Sequence, residues 1–205
     1  MPMNYPTFFD EVETIDMVDP LANVLGALEG GELTFHYIDV VKAAGHSCPT
    51  VAGAYLMTLK ALKALYPHEL PVRGNIKVSF KEPMEEGVAG VIGNVISQLT
   101  GATDKSGFKG LNGKFARHSL MEFNAGLSSS ARFSRVDTGA TVDVYYNPNV
   151  VPPLPDMQPL MQKVLSGNAD GEDIKAFGIF WQERVERILL ENSDNSEMIR
   201  VESHA

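Results

Sequence analysis

The chain has 205 residues, 44% of them apolar and 21% charged, a composition that fits one or two globular domains and excludes a disordered or fibrous protein. Its 17 Lys and Arg stand against 26 Asp and Glu, a formal net charge of −9, a sign that works against phosphate backbones, so nucleic acid is not an expected partner. A single cysteine, Cys48, excludes an internal disulfide and any zinc finger built on two or four cysteines.

The first 20 residues carry Asp10, Glu11, Glu13, Asp16 and Asp19 and no basic residue, whereas a secretory signal starts positive and continues apolar. The most apolar stretch, Val88 to Leu99, is interrupted by Asn94 and two glycines and falls far short of the roughly 20 residues that cross a bilayer. A soluble, cytoplasmic protein with no membrane contact is the expectation.

Along the chain, Pro20 to Leu28 reads as a short helix ending at Gly30-Gly31. Glu32 to Val41 mixes alternation with β-branched and aromatic residues, as a strand does. From Pro49 to Tyr66, Val51, Tyr55, Leu59, Leu62 and Leu65 recur at spacings of three and four. That period predicts a helix, and Pro49 suits its first turn because the missing N–H had no partner there. Val72 to Phe80 alternates like a strand with Ile76, Val78 and Phe80 on one face. Val91 to Leu99 predicts a second helix, followed by a glycine-rich loop to Lys114. Phe115 to Phe123, Ala131 to Val136 and Thr141 to Tyr146 predict three strands, the last two joined in a hairpin at Asp137-Thr138-Gly139. Beyond the proline-rich 148–155 segment, Met157 to Leu165 and Asp173 to Leu190 predict two helices, and the polar tail from Asn192 is expected to fray. The expected fold class is α+β, an antiparallel sheet packed on a central helix with C-terminal helices. Residues 1–32 form an N-terminal extension, 33–147 the core and 148–205 a helical segment on it.

Gly45-His46-Ser47-Cys48-Pro49 places an imidazole and a thiol two residues apart at the mouth of the strongest helix. Unpaired N–H groups and the helix dipole favour negative charge there. Such a pair can supply two ligands to zinc or a similar divalent metal, or the histidine can activate the cysteine as a nucleophile. The plain structural alternative is a small buried Cys48 beside a hydrogen-bonded turn histidine. Third ligands are sought in His118 and His36, with Asp39 and Asp104 as acidic substitutes. His68, between two prolines, and His204, in the tail, stand outside the site. The Thr100 to Gly107 loop fails the phosphate-loop spacing but can hold a small anionic ligand, or simply connect two elements. Asp137-Thr138-Gly139 matches the short aspartic-protease signature, yet one copy needs a partner copy to make a site, and the flanking alternation makes it a turn.

Gly45-His46-x-Cys48-Pro49 followed by Tyr55, with Asn94 and Gly101-Ala102-Thr103 downstream, resembles the FmdE family of formylmethanofuran dehydrogenase components over residues 33–123. That family's pattern is F-H-G-H-x-C-P-G opening a helix, then C-x-x-D-A-I-Q and a G-C-T turn. Its second histidine and its cysteine correspond to His46 and Cys48. The first histidine is Ala44, the middle cysteine and aspartate fall on Val91 and Asn94, and the last cysteine is Ala102. Added to the third ligands sought in His118 or His36 and to a small ligand held by Thr100, Gly101, Thr103 and Asn94, the resemblance implies an α+β core, a homodimer and a metal or active site at His46 and Cys48. It further implies a small carbonyl, formyl or redox substrate with zinc as cofactor, or alternatively a non-catalytic carrier or accessory component of a larger dehydrogenase complex. The lone cysteine leaves no C-terminal zinc module.

Overall fold

The computed structural model describes residues 4–204. The centre of the fold is α3 (Pro49–Leu65), 12 of whose 17 residues are buried, as expected of a helix that core packing surrounds on most sides. Against it lie α2 (Tyr37–Ala44), α4 (Ala89–Thr100) and one face of a five-stranded sheet. The sheet runs β4 (Met121–Glu122), β3 (Ile76–Phe80), β5 (Ala131–Arg135), β6 (Thr141–Tyr146), β7 (Ile199–His204), all neighbours antiparallel except β3 with β4. The register sets Val78 beside Phe133 and Phe133 beside Val142, so alternate apolar residues form one inner face. The mixed α+β class is what the sequence leads one to expect, and no described helix is long and apolar enough to cross a membrane.

Before α2, β1 (Ile15–Val18) pairs antiparallel with β2 (Glu32–Phe35), around α1 (Pro20–Val24). Phe8, Phe9, Val12, Ile15 and Met17 belong to the same buried cluster as α3 and the sheet. At the other end, α5 (Met157–Leu165) packs on α6 (Gly171–Glu186), which continues into a π turn at Arg187–Glu191. Ile174 and Ile179 of α6 stay exposed.

Three expectations need correction. Glu32 to Val41 is not one strand: β2 ends at Phe35, and His36 opens α2. Phe115 to Phe123 is mostly irregular, because Phe115 and Ser119 sit at φ 61° and 60°, a left-handed backbone that no regular strand accommodates. Its N–H groups bond instead to Thr103, Asp104 and Phe108 carbonyls, leaving two residues of β4 and placing His118 on a loop. The tail does not fray. Residues 199–204 pair with β6 along its whole length, with Ile199 buried and Val201 packed on the core, so β7 covers an edge that would otherwise present unpaired backbone groups.

On the outer face of the sheet, buried Asp143 accepts from Arg132 Nε and Nη2 at 2.8 Å each, from Ser129 Oγ at 3.1 Å, and pairs with His204 Nε2 at 2.6 Å. The Arg132 bonds, then those from His204 and Ser129, hold its carboxyl down at about 2 against the cost of burial. A depressed folded value stabilises above the unfolded value and is lost as pH falls through the folded one. The stability gap between wild type and Asp143→Asn is therefore expected to shrink by about 2 kcal/mol from pH 6 to pH 2, measured by urea unfolding at each pH.

Candidate functional site

The turn between α2 and α3 is built to hold its shape. Gly45 ends α2 at φ 75°, a conformation that suits glycine, and its N–H donates to Val41 O at 2.8 Å. Cys48 is the N-cap of α3: its Sγ accepts the Val51 N–H at 3.4 Å, and its residue is 8% exposed. Four side chains clamp the turn, Tyr37 from α2 itself and three from distant elements. Tyr37 and Ser47 hydroxyls lie 2.9 Å apart, Trp181 Nε1 and Gln182 Nε2 donate to Ser47 O at 2.9 and 3.1 Å, and Tyr146 OH donates to Pro49 O at 2.7 Å. Burial raises both the Tyr37 and the Tyr146 phenol well above their ordinary value, so at neutral pH they serve as neutral hydrogen-bonding groups.

His46 points the other way and is exposed. Its Nδ1 lies 3.0 Å from Ala44 O. A carbonyl can only accept, so Nδ1 carries the hydrogen and Nε2 of the neutral ring keeps a free lone pair. The imidazole lines a cleft of about 210 Å³, with Ala43 and Ala44 on its own side and Val91, Asn94, Val95 and Gln98 of α4 opposite. Gln98 is fixed by its Nε2 bond to Asp39 O at 3.1 Å, leaving its carbonyl oxygen uncommitted. Among the described residues His46 is the one titratable group in these walls.

The remaining sequence candidates are dispersed. His36 stands exposed at the start of α2, its backbone N–H on Asp39 Oδ2 at 2.9 Å. His118 Nδ1 lies 3.0 Å from Ser119 Oγ on the irregular loop. Among the described residues no three His, Cys, Asp or Glu side chains are grouped to hold a metal ion, so neither His118 nor His36 joins His46 and Cys48 as a third donor. Cys48 itself is not in the wall of the His46 cleft. Thr100 is fully buried, with Oγ1 donating to Ile96 O at 2.7 Å and accepting from Ala102 N at 3.1 Å. Gly101 packs on the Arg117 guanidinium. Both residues thus end α4 rather than face a ligand. Thr103 Oγ1 donates to Arg117 O at 2.7 Å and borders a neighbouring cleft that also includes Asn94. Asp104 accepts from Ser106 within its own loop, and Asp137 is bound by Arg135 in the β5–β6 hairpin.

Sequence reasoning missed Gln98 as a wall residue, together with Tyr37, Tyr146, Trp181 and Gln182 as clamps on the turn. Trp181 and Gln182 stand 134 and 135 residues from Ser47, and no local pattern announces a bond across that separation. The period of α4 does place 91, 94, 95 and 98 on one side, so its wall was recoverable once α4 was known to pack on α2. Compared with known proteins, the chain matches no protein-family model and no curated protein.

Proposed function

We propose that the cleft between the Gly45 turn and α4 binds a small carbonyl or formyl compound, with His46 Nε2 as its basic group and the Asn94 and Gln98 amides as its polar contacts. One observation carries this reading: His46, with Ala44 beside it, and Val91 with Asn94, which align with two separate segments of the family pattern, line the same cleft although they are far apart in sequence. A mostly apolar recess with a few converging polar groups is the common form of a small-molecule site. The Asn94 amide can donate to a carbonyl oxygen, and His46 Nε2 can take a proton from the bound molecule or accept its N–H or O–H. The Nδ1 bond to Ala44 holds the ring in the tautomer that this role needs.

The test is amide mapping by NMR with N-methylformamide as the probe. Saturable shifts are expected at Ala43, Ala44, Val91, Asn94, Val95 and Gln98. They are expected to weaken at least tenfold in His46→Ala, with the fold intact by circular dichroism. Shifts elsewhere, or the same shifts in His46→Ala, contradict the assignment.

A second reading has its own observation. An imidazole pinned through one nitrogen to a backbone carbonyl is oriented as metal-bound histidines are, and a thiol follows two residues later. The structure does not assemble this pair, because the Cys48 sulfur caps α3 outside the cleft that the ring lines, so zinc held by both would have to draw Sγ away from the Val51 N–H toward His46 Nε2, with solvent and ligand completing an open site. The metal would supply polarisation of the carbonyl or acidification of bound water. The protein residues would orient the ligand in the cleft.

A further inference from the structure

A second cavity, of about 220 Å³, opens on another side of α4. Its inner end is formed by Met57, Phe80 and Ala89, none more than 3% exposed, with Ile92 and the Tyr146 ring beside them. Its mouth carries Lys81 and Glu82, both exposed, with the hydroxyls of Thr50, Ser128 and Ser130. Ser130 Oγ accepts the Tyr146 N–H at 3.1 Å, which leaves its own hydrogen to donate. Among the described residues, neither the Lys81 ammonium nor the Glu82 carboxylate is in a salt bridge or a side-chain hydrogen bond.

We infer that this cavity binds a free apolar α-amino acid the size of leucine, side chain inward, with its carboxylate at Lys81 and its ammonium at Glu82. The size fits, because a dry cavity of roughly 150 Å³ already holds a benzene ring and this one is larger. The chemistry of the mouth selects among amphiphiles. A plain fatty or aryl carboxylate would satisfy Lys81 while meeting the Glu82 charge, and a plain amine would do the reverse. A zwitterion with an apolar tail satisfies both, and the hydroxyls accept or donate to either head group. The site is separate from the His46 cleft: it uses Val88, just before α4, and Ala89 and Ile92 on it, whereas the cleft uses Val91, Asn94, Val95 and Gln98. It therefore stands or falls independently of the function proposed for His46.

The experiment is ligand-observed NMR on the full chain with three probes of matched shape: leucine, 4-methylpentanoate, which lacks the amine, and isoamylamine, which lacks the carboxylate. Leucine is expected to bind at least tenfold tighter than either analogue. Lys81→Gln is expected to remove its advantage over isoamylamine, and Glu82→Gln its advantage over 4-methylpentanoate. Both side chains are exposed, so neither change should disturb folding, and Ile92→Phe, which fills the cavity, is expected to abolish binding of all three probes. Equal binding of the three by the wild type, undiminished leucine binding by both charge variants, or no saturable binding of leucine at millimolar concentration overturns the assignment.

Discussion

Asp19→Ala is expected to lower the unfolding free energy by about 3–5 kcal/mol, the range for removing one partner of a buried charge group. Asp19 is 4% exposed. Its Oδ1 accepts from Arg117 Nη2 at 2.6 Å and from the α1 N–H groups of Leu21 and Ala22 at 3.0 and 3.2 Å, and its Oδ2 accepts from Arg73 Nη1 at 2.9 Å. Burial alone would raise this carboxyl, but the Arg73 and Ala22 bonds and the Arg117 charge outweigh it and hold it below its ordinary value. Removing the carboxylate strands two guanidinium groups side by side and uncaps α1. Arg117 is 6% exposed and its Nη1 already lacks a partner, so it has little means to recover solvation.

The consequence reaches the site. Arg73 also donates from Nε to Leu99 O at 3.1 Å and from Nη2 to Gln98 O at 2.9 Å, tying the last turn of α4 to the Asp19 cluster. Asp19→Ala should therefore loosen the Gln98 end of the His46 cleft as well. Urea unfolding measures the stability loss, and hydrogen exchange at the α4 carboxyl end measures the loosening. The double variant Asp19→Ala, Arg117→Met, which removes one stranded charge, is expected to recover part of the loss. A loss below about 1 kcal/mol would place the cluster among weak surface pairs instead.

Gly53→Ala carries the second large effect, a loss of about 3 kcal/mol, at the upper end of ordinary overpacking. A Cβ built at Gly53 falls 2.1 Å from Tyr146 Cε1 and 2.3 Å from its Cζ. The ring has little room to retreat, because its hydroxyl is bonded to Pro49 O at 2.7 Å. In an exposed helix the same change would gain about 1 kcal/mol from propensity, so the sign of the result is diagnostic. Displacing Tyr146 should also release the Pro49 end of the turn and raise the rate at which a thiol reagent labels Cys48. Thermal unfolding together with labelling kinetics reads both, and Gly53→Ala with unchanged melting and labelling would mean that the ring does not lock the turn.

The sequence was most legible where one physical signal dominated. The three- and four-residue spacing from Val51 to Leu65 marks α3 because nearly every turn of it is buried, and Asp137-Thr138-Gly139 marks a hairpin because the alternation on both sides agrees with the turn. It was least legible where tertiary bonds override local pattern. The 115–123 segment has strand-like composition, but its carbonyl partners at Thr103, Asp104 and Phe108 impose a looped path. Likewise β7 looks polar and is ordered by the open edge of β6 and by the His204–Asp143 pair. At the site, His46 and Cys48 were marked by their place before Pro49, whereas their separation could not be read: one ring faces a cleft, and the sulfur caps α3 by accepting the Val51 N–H.

Both readings of the site require that His46 present a bare Nε2 to the cleft walled by α4, available to a proton or a metal. Long-range proton–nitrogen NMR of the His46 ring reads this directly, recorded at a pH where the ring is neutral, first alone and then during a zinc titration. The result both readings predict is a hydrogen on Nδ1 and none on Nε2 in the free protein; the zinc reading alone adds a saturable zinc-dependent shift at Nε2 that weakens in Cys48→Ser. A ring protonated on Nε2 and bare at Nδ1 would overturn both readings, whatever zinc then does.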